Sequence, residues 1–105
     1  MWLVLNKGFL SIVNKEGSLV VRARDRKHLE YYFPDYPIEE SDKTDYKFRI
    51  RISKEEFSSF LLSLSESIDY DNFKDSVKEN SLKKFCEQVW FIGYKCLGRP
   101  LMTFL

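Results

Sequence analysis

The chain has 105 residues and a mass of 12.6 kDa, with 17 basic and 16 acidic side chains and a formal net charge of +1. So short a chain holds one core, and 44% hydrophobic with 16% aromatic residues supplies enough apolar surface to fold without a metal or a disulfide. These figures exclude disordered, collagen-like and coiled-coil chains, and the balanced charge excludes a strongly basic nucleic-acid binder.

In chain order, the apolar runs Trp2–Leu5 and 9–13 surround Asn6-Lys7-Gly8. They predict two short strands joined by a turn, or one strand bent at Gly8. Lys15-Glu16-Gly17-Ser18 is a turn signal, and residues 19–24 form the next strand of an antiparallel hairpin. Asp25 is placed to cap a short helix that carries Leu29 and Phe33 one turn apart and stops at Pro34. Residues 34–45, rich in Pro, Glu, Asp and Ser, read as a polar connecting loop, and residues 46–52 alternate cleanly as a strand.

Ser53-Lys54-Glu55-Glu56 has the form of a capping box, with Ile52 and Phe57 as its hydrophobic staple. Phe57, Phe60, Leu61, Leu64 and Ile68 then follow at the spacing of one buried helical stripe. Residues 69–80 read as a loop with a short helix. A last helix over 81–97 is expected to bury Leu82, Phe85, Cys86, Val89, Ile92 and Cys96, with Gly98 and Pro100 as its stop. The apolar tail 101–105 needs cover from the core, the sheet or a partner. The expected fold is a single α+β domain over 1–105, with a three- or four-stranded antiparallel sheet and two or three helices packed on one face.

Several functional classes drop out on spacing. No run of 18 uncharged apolar residues occurs, so no membrane span is expected. The apolar start lacks a basic region before it, so no secretory leader is expected. Cys86 and Cys96 lie in one predicted helix, about 15 Å apart along its axis at 1.5 Å rise per residue. That exceeds the roughly 7 Å a disulfide spans, and two reduced thiols fit the cytoplasm. His28 is the single histidine, read as a surface or helix-capping residue, and no CxxC, HxxxH, GxGxxG, P-loop or GxSxG pattern is present. No catalytic residue, metal site or cofactor is expected.

The strand alternation carries more. In residues 19–24, Leu19, Val21 and Ala23 share one face, and Val20, Arg22 and Arg24 the other. In residues 46–52, Tyr46, Phe48, Ile50 and Ile52 share one face, and Lys47, Arg49 and Arg51 the other. One sheet would therefore gather Arg22, Arg24, Lys47, Arg49 and Arg51 on its outer surface, beside Trp2, Phe9 or Leu10. Arginines beside aromatics on an open sheet can hold an anionic partner, protein or single-stranded nucleic acid. The plainer reading is a solvated face neutralised by Glu39, Glu40 and Asp42.

Asp69-Tyr70-Asp71-Asn72-Phe73-Lys74 concentrates two carboxylates, an amide and two aromatics. A cation could use two carboxylates, but no glycine and no third acid sit at the required spacing. Asp69 or Asp71 as a helix cap, with Phe73 and Val77 packed inward, is the simpler account. Tyr70, Asp71 and Asn72 stand with Asp69 as a candidate contact surface.

The chain resembles a family of small bacterial proteins without an assigned activity. The resemblance rests on Met1-Trp2-Leu3, Gly8-Phe9-Leu10-Ser11-Ile12-Val13, Val21-Arg22-Ala23-Arg24, Tyr46-Lys47-Phe48-Arg49-Ile50 and Ile68-Asp69-Tyr70-Asp71-Asn72-Phe73-Lys74. It covers most of residues 1–78 and implies a standalone cytoplasmic domain without naming a substrate, cofactor or catalytic residue. The expected function is a small intracellular protein-binding or regulatory module, acting through the basic sheet face on an unidentified protein partner. A single-stranded nucleic-acid-binding domain on the same face is the alternative. A metal-dependent hydrolase using Asp69 and Asp71 comes third, and a homodimer through the sheet face or the tail is the remaining partner option.

Overall fold

A computed structural model describes residues 1–98, so the expectations for Pro100 and the apolar tail 101–105 lie outside the described residues. The elements are β1 (Trp2–Leu5), β2 (Gly8–Lys15), β3 (Ser18–Ala23), α1 (Arg26–Tyr32), β4 (Glu39–Glu40), β5 (Phe48–Ile52), α2 (Lys54–Glu66), α3 (Phe73–Ser76) and α4 (Asn80–Leu97). The strands form one antiparallel sheet in the order β1-β2-β3-β5-β4. The α+β class with an antiparallel sheet is as expected, with five strands and four helical segments among the described residues rather than the smaller counts. The additional strand is β4, inside the stretch read as a loop. Glu-Glu has low strand propensity, and only the pairing of Glu39 with Arg49 and of Glu40 with Phe48 makes it one.

Local chemistry explains most boundaries. Glu16 and Gly17 both have positive φ, 54° and 89°, which is the type I′ turn that matches the twist of a two-residue hairpin. Asp25 caps α1 by accepting a hydrogen bond from the Lys27 N–H at 2.9 Å. The Ser53–Glu56 capping box closes in both directions at the start of α2. Glu79 caps α4, its carboxylate accepting from the N–H groups of Ser81 and Leu82. Those two bonds hold the Glu79 carboxyl below the usual carboxylate range.

The core splits across the sheet. On the first face, Leu10, Ile12, Val21, Ala23, Ile50 and Ile52 pack under Leu29 of α1, Phe33 at its C-terminal cap and Phe57 of α2. Burying an aliphatic side chain completely, as for Leu10, Leu29 and Ile50, contributes roughly 1.5–3 kcal/mol. On the second face, a smaller cluster of Val77, Leu82 and Cys86 packs with Phe73, Phe85 and Val4. The expectation of helices on one face is corrected by this arrangement: α1 and α2 cover the first face, and α3 with α4 lies against the second. Strands that are apolar on both faces need cover on both, and Val4 and Phe9 face away from the main core.

The α4 stripe is buried only in part. Leu82 and Cys86 are enclosed, whereas Val89 and Ile92 remain 42% and 51% exposed and Cys96 is exposed. Leu82 and Cys86 seat the first two turns of α4; beyond them the helix stands over a groove. Ile68 also departs from expectation. It lies past the end of α2 at Ser67 and is exposed.

Candidate binding site on the second sheet face

The basic residues predicted on one face divide into two groups. Arg22 and Arg24 follow the expected parity, and Arg49 and Arg51 follow it from β5. Lys47 does not. It precedes the first residue of β5, and its ammonium reaches Glu40 at 3.8 Å and Asp42 at 3.2 Å at the β4 edge. Tyr46 makes the opposite move: read as part of the apolar face, it lies on the second face, only 5% exposed. The alternation holds from Phe48 to Ile52 and fails before it, because β5 begins at Phe48 and the chain there has no ladder to keep its parity.

Tyr46 organises the centre of this face. The guanidinium of Arg22 lies 4.5 Å from its ring centroid and that of Arg24 4.7 Å. Arg22 also donates from Nη2 to Ser11 Oγ at 2.7 Å, and Arg24 from Nη1 to the Asp45 carbonyl at 2.9 Å. Arg49 donates from Nη2 to Thr44 Oγ1 and to the Tyr46 carbonyl. Arg22 and Arg49 are direct register partners on β3 and β5, a like-charge pair that destabilises a sheet by roughly 0.2–1 kcal/mol. The Nε atoms of both are enclosed without a hydrogen-bond partner.

Neutralisation is selective. Arg51 is held by Glu39 through two bonds, at 2.9 and 3.3 Å, and the bond from Arg51 holds the Glu39 carboxyl below its usual range. Lys47 has Glu40 and Asp42. Among the described residues, no carboxylate oxygen comes within 4 Å of the guanidinium nitrogens of Arg22, Arg24 or Arg49. The solvated, neutralised face anticipated from Glu39, Glu40 and Asp42 therefore applies to two of the five basic residues and not to the other three.

An aromatic and aliphatic strip borders these arginines. Phe9 contacts Trp2 at 5.9 Å, Tyr46 at 6.4 Å and Phe85 of α4 at 4.8 Å between ring centroids. Trp2 is 72% exposed. The sequence offered Trp2, Phe9 or Leu10 beside the arginines, and Leu10 lies instead in the first-face core; the sequence did not reveal that α4 comes down on Phe9 and walls the strip.

The acidic segment is not part of this site. Asn72, rather than Asp69 or Asp71, caps α3, accepting from the Asp75 N–H at 3.3 Å. Asn72 reaches the right backbone position, one residue before the first helical residue Phe73. Phe73 and Val77 pack inward as expected. Asp71, Asn72 and Lys74 line a separate groove of about 510 Å³ on the Trp90 side of α4, where the Lys74 ammonium lies 4.5 Å from the Trp90 ring centroid. Tyr70 contacts Phe73, and Asp69 is exposed. Among the described residues, no group of three or more His, Cys, Asp or Glu side chains could hold a metal ion.

His28 is half-buried, and Asp25 rather than His28 caps α1. Its Nδ1 accepts from the Phe9 N–H at 3.2 Å, and its Cβ lies 2.8 Å from where a side chain on Gly8 would begin. It locks α1 to the start of β2 directly behind Phe9. Both cysteines are free; burial pushes the Cys86 thiol up, which makes it less reactive.

No family model, no curated protein and no solved structure matches the chain. The site therefore rests on its own geometry. No helix among the described residues is long and apolar enough to cross a membrane.

Proposed function

We propose that this chain is a small protein-binding or regulatory module that takes an acidic segment of a partner protein on the second face of its sheet, without catalytic activity of its own. One observation carries the reading. Arg22, Arg24 and Arg49 converge on Tyr46 with no carboxylate within ion-pair distance among the described residues, while Arg51 of β5 and Lys47 just before it are paired. A like-charge pair held in register is retained at a cost in stability, and carboxylates from outside would relieve it. Charge-assisted bonds to guanidinium forks give such recognition its strength. The free thiols of Cys86 and Cys96 support a reducing, cytoplasmic setting.

The nucleic-acid alternative has less support. Tyr46 is enclosed under two guanidiniums, so a base has no room to stack on it, and among the described aromatics bordering these arginines Trp2 is the exposed ring. Fluorescence anisotropy with labelled polyglutamate and labelled oligo-dT of equal charge separates the two. The protein-binding reading expects the wild-type chain to prefer polyglutamate at about 50 mM salt, with binding falling steeply by about 200 mM. Tighter binding of oligo-dT, with quenching of Trp2, transfers the face to nucleic acid. Binding of neither probe removes the face as an anionic docking surface.

A further inference from the structure

An apolar groove of about 660 Å³ runs between the aromatic strip and the C-terminal half of α4, within the size range of small-molecule sites. Its helical wall is one face of α4, Phe85, Gln88, Val89, Ile92, Gly93, Cys96 and Leu97, in which each residue has another three or four positions away. From Phe85 to Leu97 that stripe runs roughly 18 Å at 1.5 Å per residue. Trp2, Val4, Phe9 and Tyr46 form the opposite wall. Among the described residues lining it, Arg24 is the single charged side chain, and no acid is present.

Gly93 adds no side chain to the groove wall. A glycine inside a helix costs about 0.8–1 kcal/mol relative to alanine. Such a residue is usually explained by a neighbour that needs the room. Here, among the described residues, a Cβ at Gly93 would meet nothing within 4 Å. The helix carries the penalty with no packing partner to justify it, at the point where the groove passes. Val89 and Ile92, which precede it on the same face, are 42% and 51% exposed, so the described residues leave this part of the stripe uncovered.

We propose that this groove binds a medium-chain fatty carboxylate, its head group on Arg24 and its alkyl chain along Val89, Ile92 and Gly93. One cation among uncharged, mostly apolar lining residues matches one anion carried on an apolar chain. A cationic or neutral amphiphile would leave Arg24 unpaired beside its head group. The groove shares Arg24 and Tyr46 with the proposed docking face but is not lined by Arg22 or Arg49, so the two readings compete for Arg24 and are separated at Arg49.

Titration of octanoate, decanoate and dodecanoate below their micellar concentrations into the full chain tests it, read by Trp2 fluorescence in a Trp90→Phe background and by calorimetry. Saturable one-to-one binding is expected, tightening about fourfold per added methylene. Decanol and decylamine should bind at least about tenfold more weakly than decanoate, the effect of a missing charge-assisted hydrogen bond. Arg24→Gln should lose a similar factor. Gly93→Phe, or Gly93→Leu if the larger ring disturbs folding, should abolish binding while circular dichroism stays unchanged. Arg49→Glu should leave decanoate binding intact while removing polyglutamate binding, so the two readings fail separately. Equal affinity for decanoate and decanol, binding that survives a filled Gly93 position, or no saturable binding overturns the proposal. So does a concentration-dependent dimer that Gly93→Phe dissociates and decanoate leaves intact, which would give the groove to a second copy of the chain.

Discussion

The same substitution at two glycines should have opposite effects, because the surroundings differ. At Gly8 a new Cβ would sit 2.8 Å from His28 Cβ and 2.9 Å from Cγ, where ordinary contacts begin near 3.4 Å. Neither atom is the far end of a flexible side chain, so relief requires α1 to shift from β2 or the 3.2 Å bond from the Phe9 N–H to His28 Nδ1 to break. Overpacking costs roughly 1–3 kcal/mol and a lost hydrogen bond about 0.5–1.5 kcal/mol. Against these stands a gain of about 0.4–1 kcal/mol from restricting the unfolded chain. Gly8→Ala should therefore destabilise by about 1–3 kcal/mol, lowering Tm by roughly 4–8 °C per kcal/mol in a domain of this size. Gly93→Ala, in a helix interior with open space around it, should stabilise by up to about 1 kcal/mol. Urea titrations with unchanged slopes would measure both. A His28→Ala background removes Cγ but leaves Cβ, so it should recover part of the Gly8→Ala loss and no more. Gly8→Ala at wild-type stability, or full recovery with His28→Ala, would refute the assigned contact.

Further outcomes follow from the caps and the titrating groups. Ser53→Ala removes one side of the capping box and should cost about 1 kcal/mol, measured by the same urea midpoint; a change within error would contradict the role given to Ser53. Desolvation pushes the Tyr32 hydroxyl up to about 12, partly opposed by the bond it accepts from the Lys7 N–H. A phenol with a raised folded-state value stabilises fully below its ordinary value near 10, and that contribution is lost as pH rises toward 12. Tyr32→Phe should flatten the stability curve over that interval, leaving the smaller alkaline loss from Tyr36, which donates to Glu56. An unchanged alkaline slope would remove Tyr32 from the account. At the acid end, Glu39, Glu56 and Glu79 all titrate below the usual carboxylate range. Their stabilisation is present above that range and is lost as pH falls through it.

Signals closed within a few residues were the legible ones. The Ser53–Glu56 box, the Asp25 cap and the Glu16-Gly17 turn depend on neighbours in sequence, and each forms where it was read. The parity of Arg22, Arg49 and Arg51 was legible because strand alternation is local as well. Tyr46 and Lys47 exchanged faces because the start of β5 is set by its pairing with β4, and that pairing depends on tertiary contact. His28 could not be placed from sequence, since its partners, Gly8 and the Phe9 N–H, lie about twenty residues away. The position of α4 had one available signal, strands apolar on both faces, which requires cover on both. Nothing local reveals which carboxylates reach which arginines, and that selectivity defines the candidate site.

The claim that separates this face from an ordinary charged surface is that Arg24 and Arg49 await an outside anion while Arg51 does not. Polyglutamate affinity should be compared across Arg49→Gln, Arg24→Gln and the double variant Arg51→Gln with Glu39→Gln. That double variant removes an ion pair and leaves net charge unchanged. Loss of at least about tenfold for each of the first two, the effect of one charge-assisted bond, with the double variant within about twofold of wild type, is the expected result. Equal losses in all three, or none in any, would contradict the account.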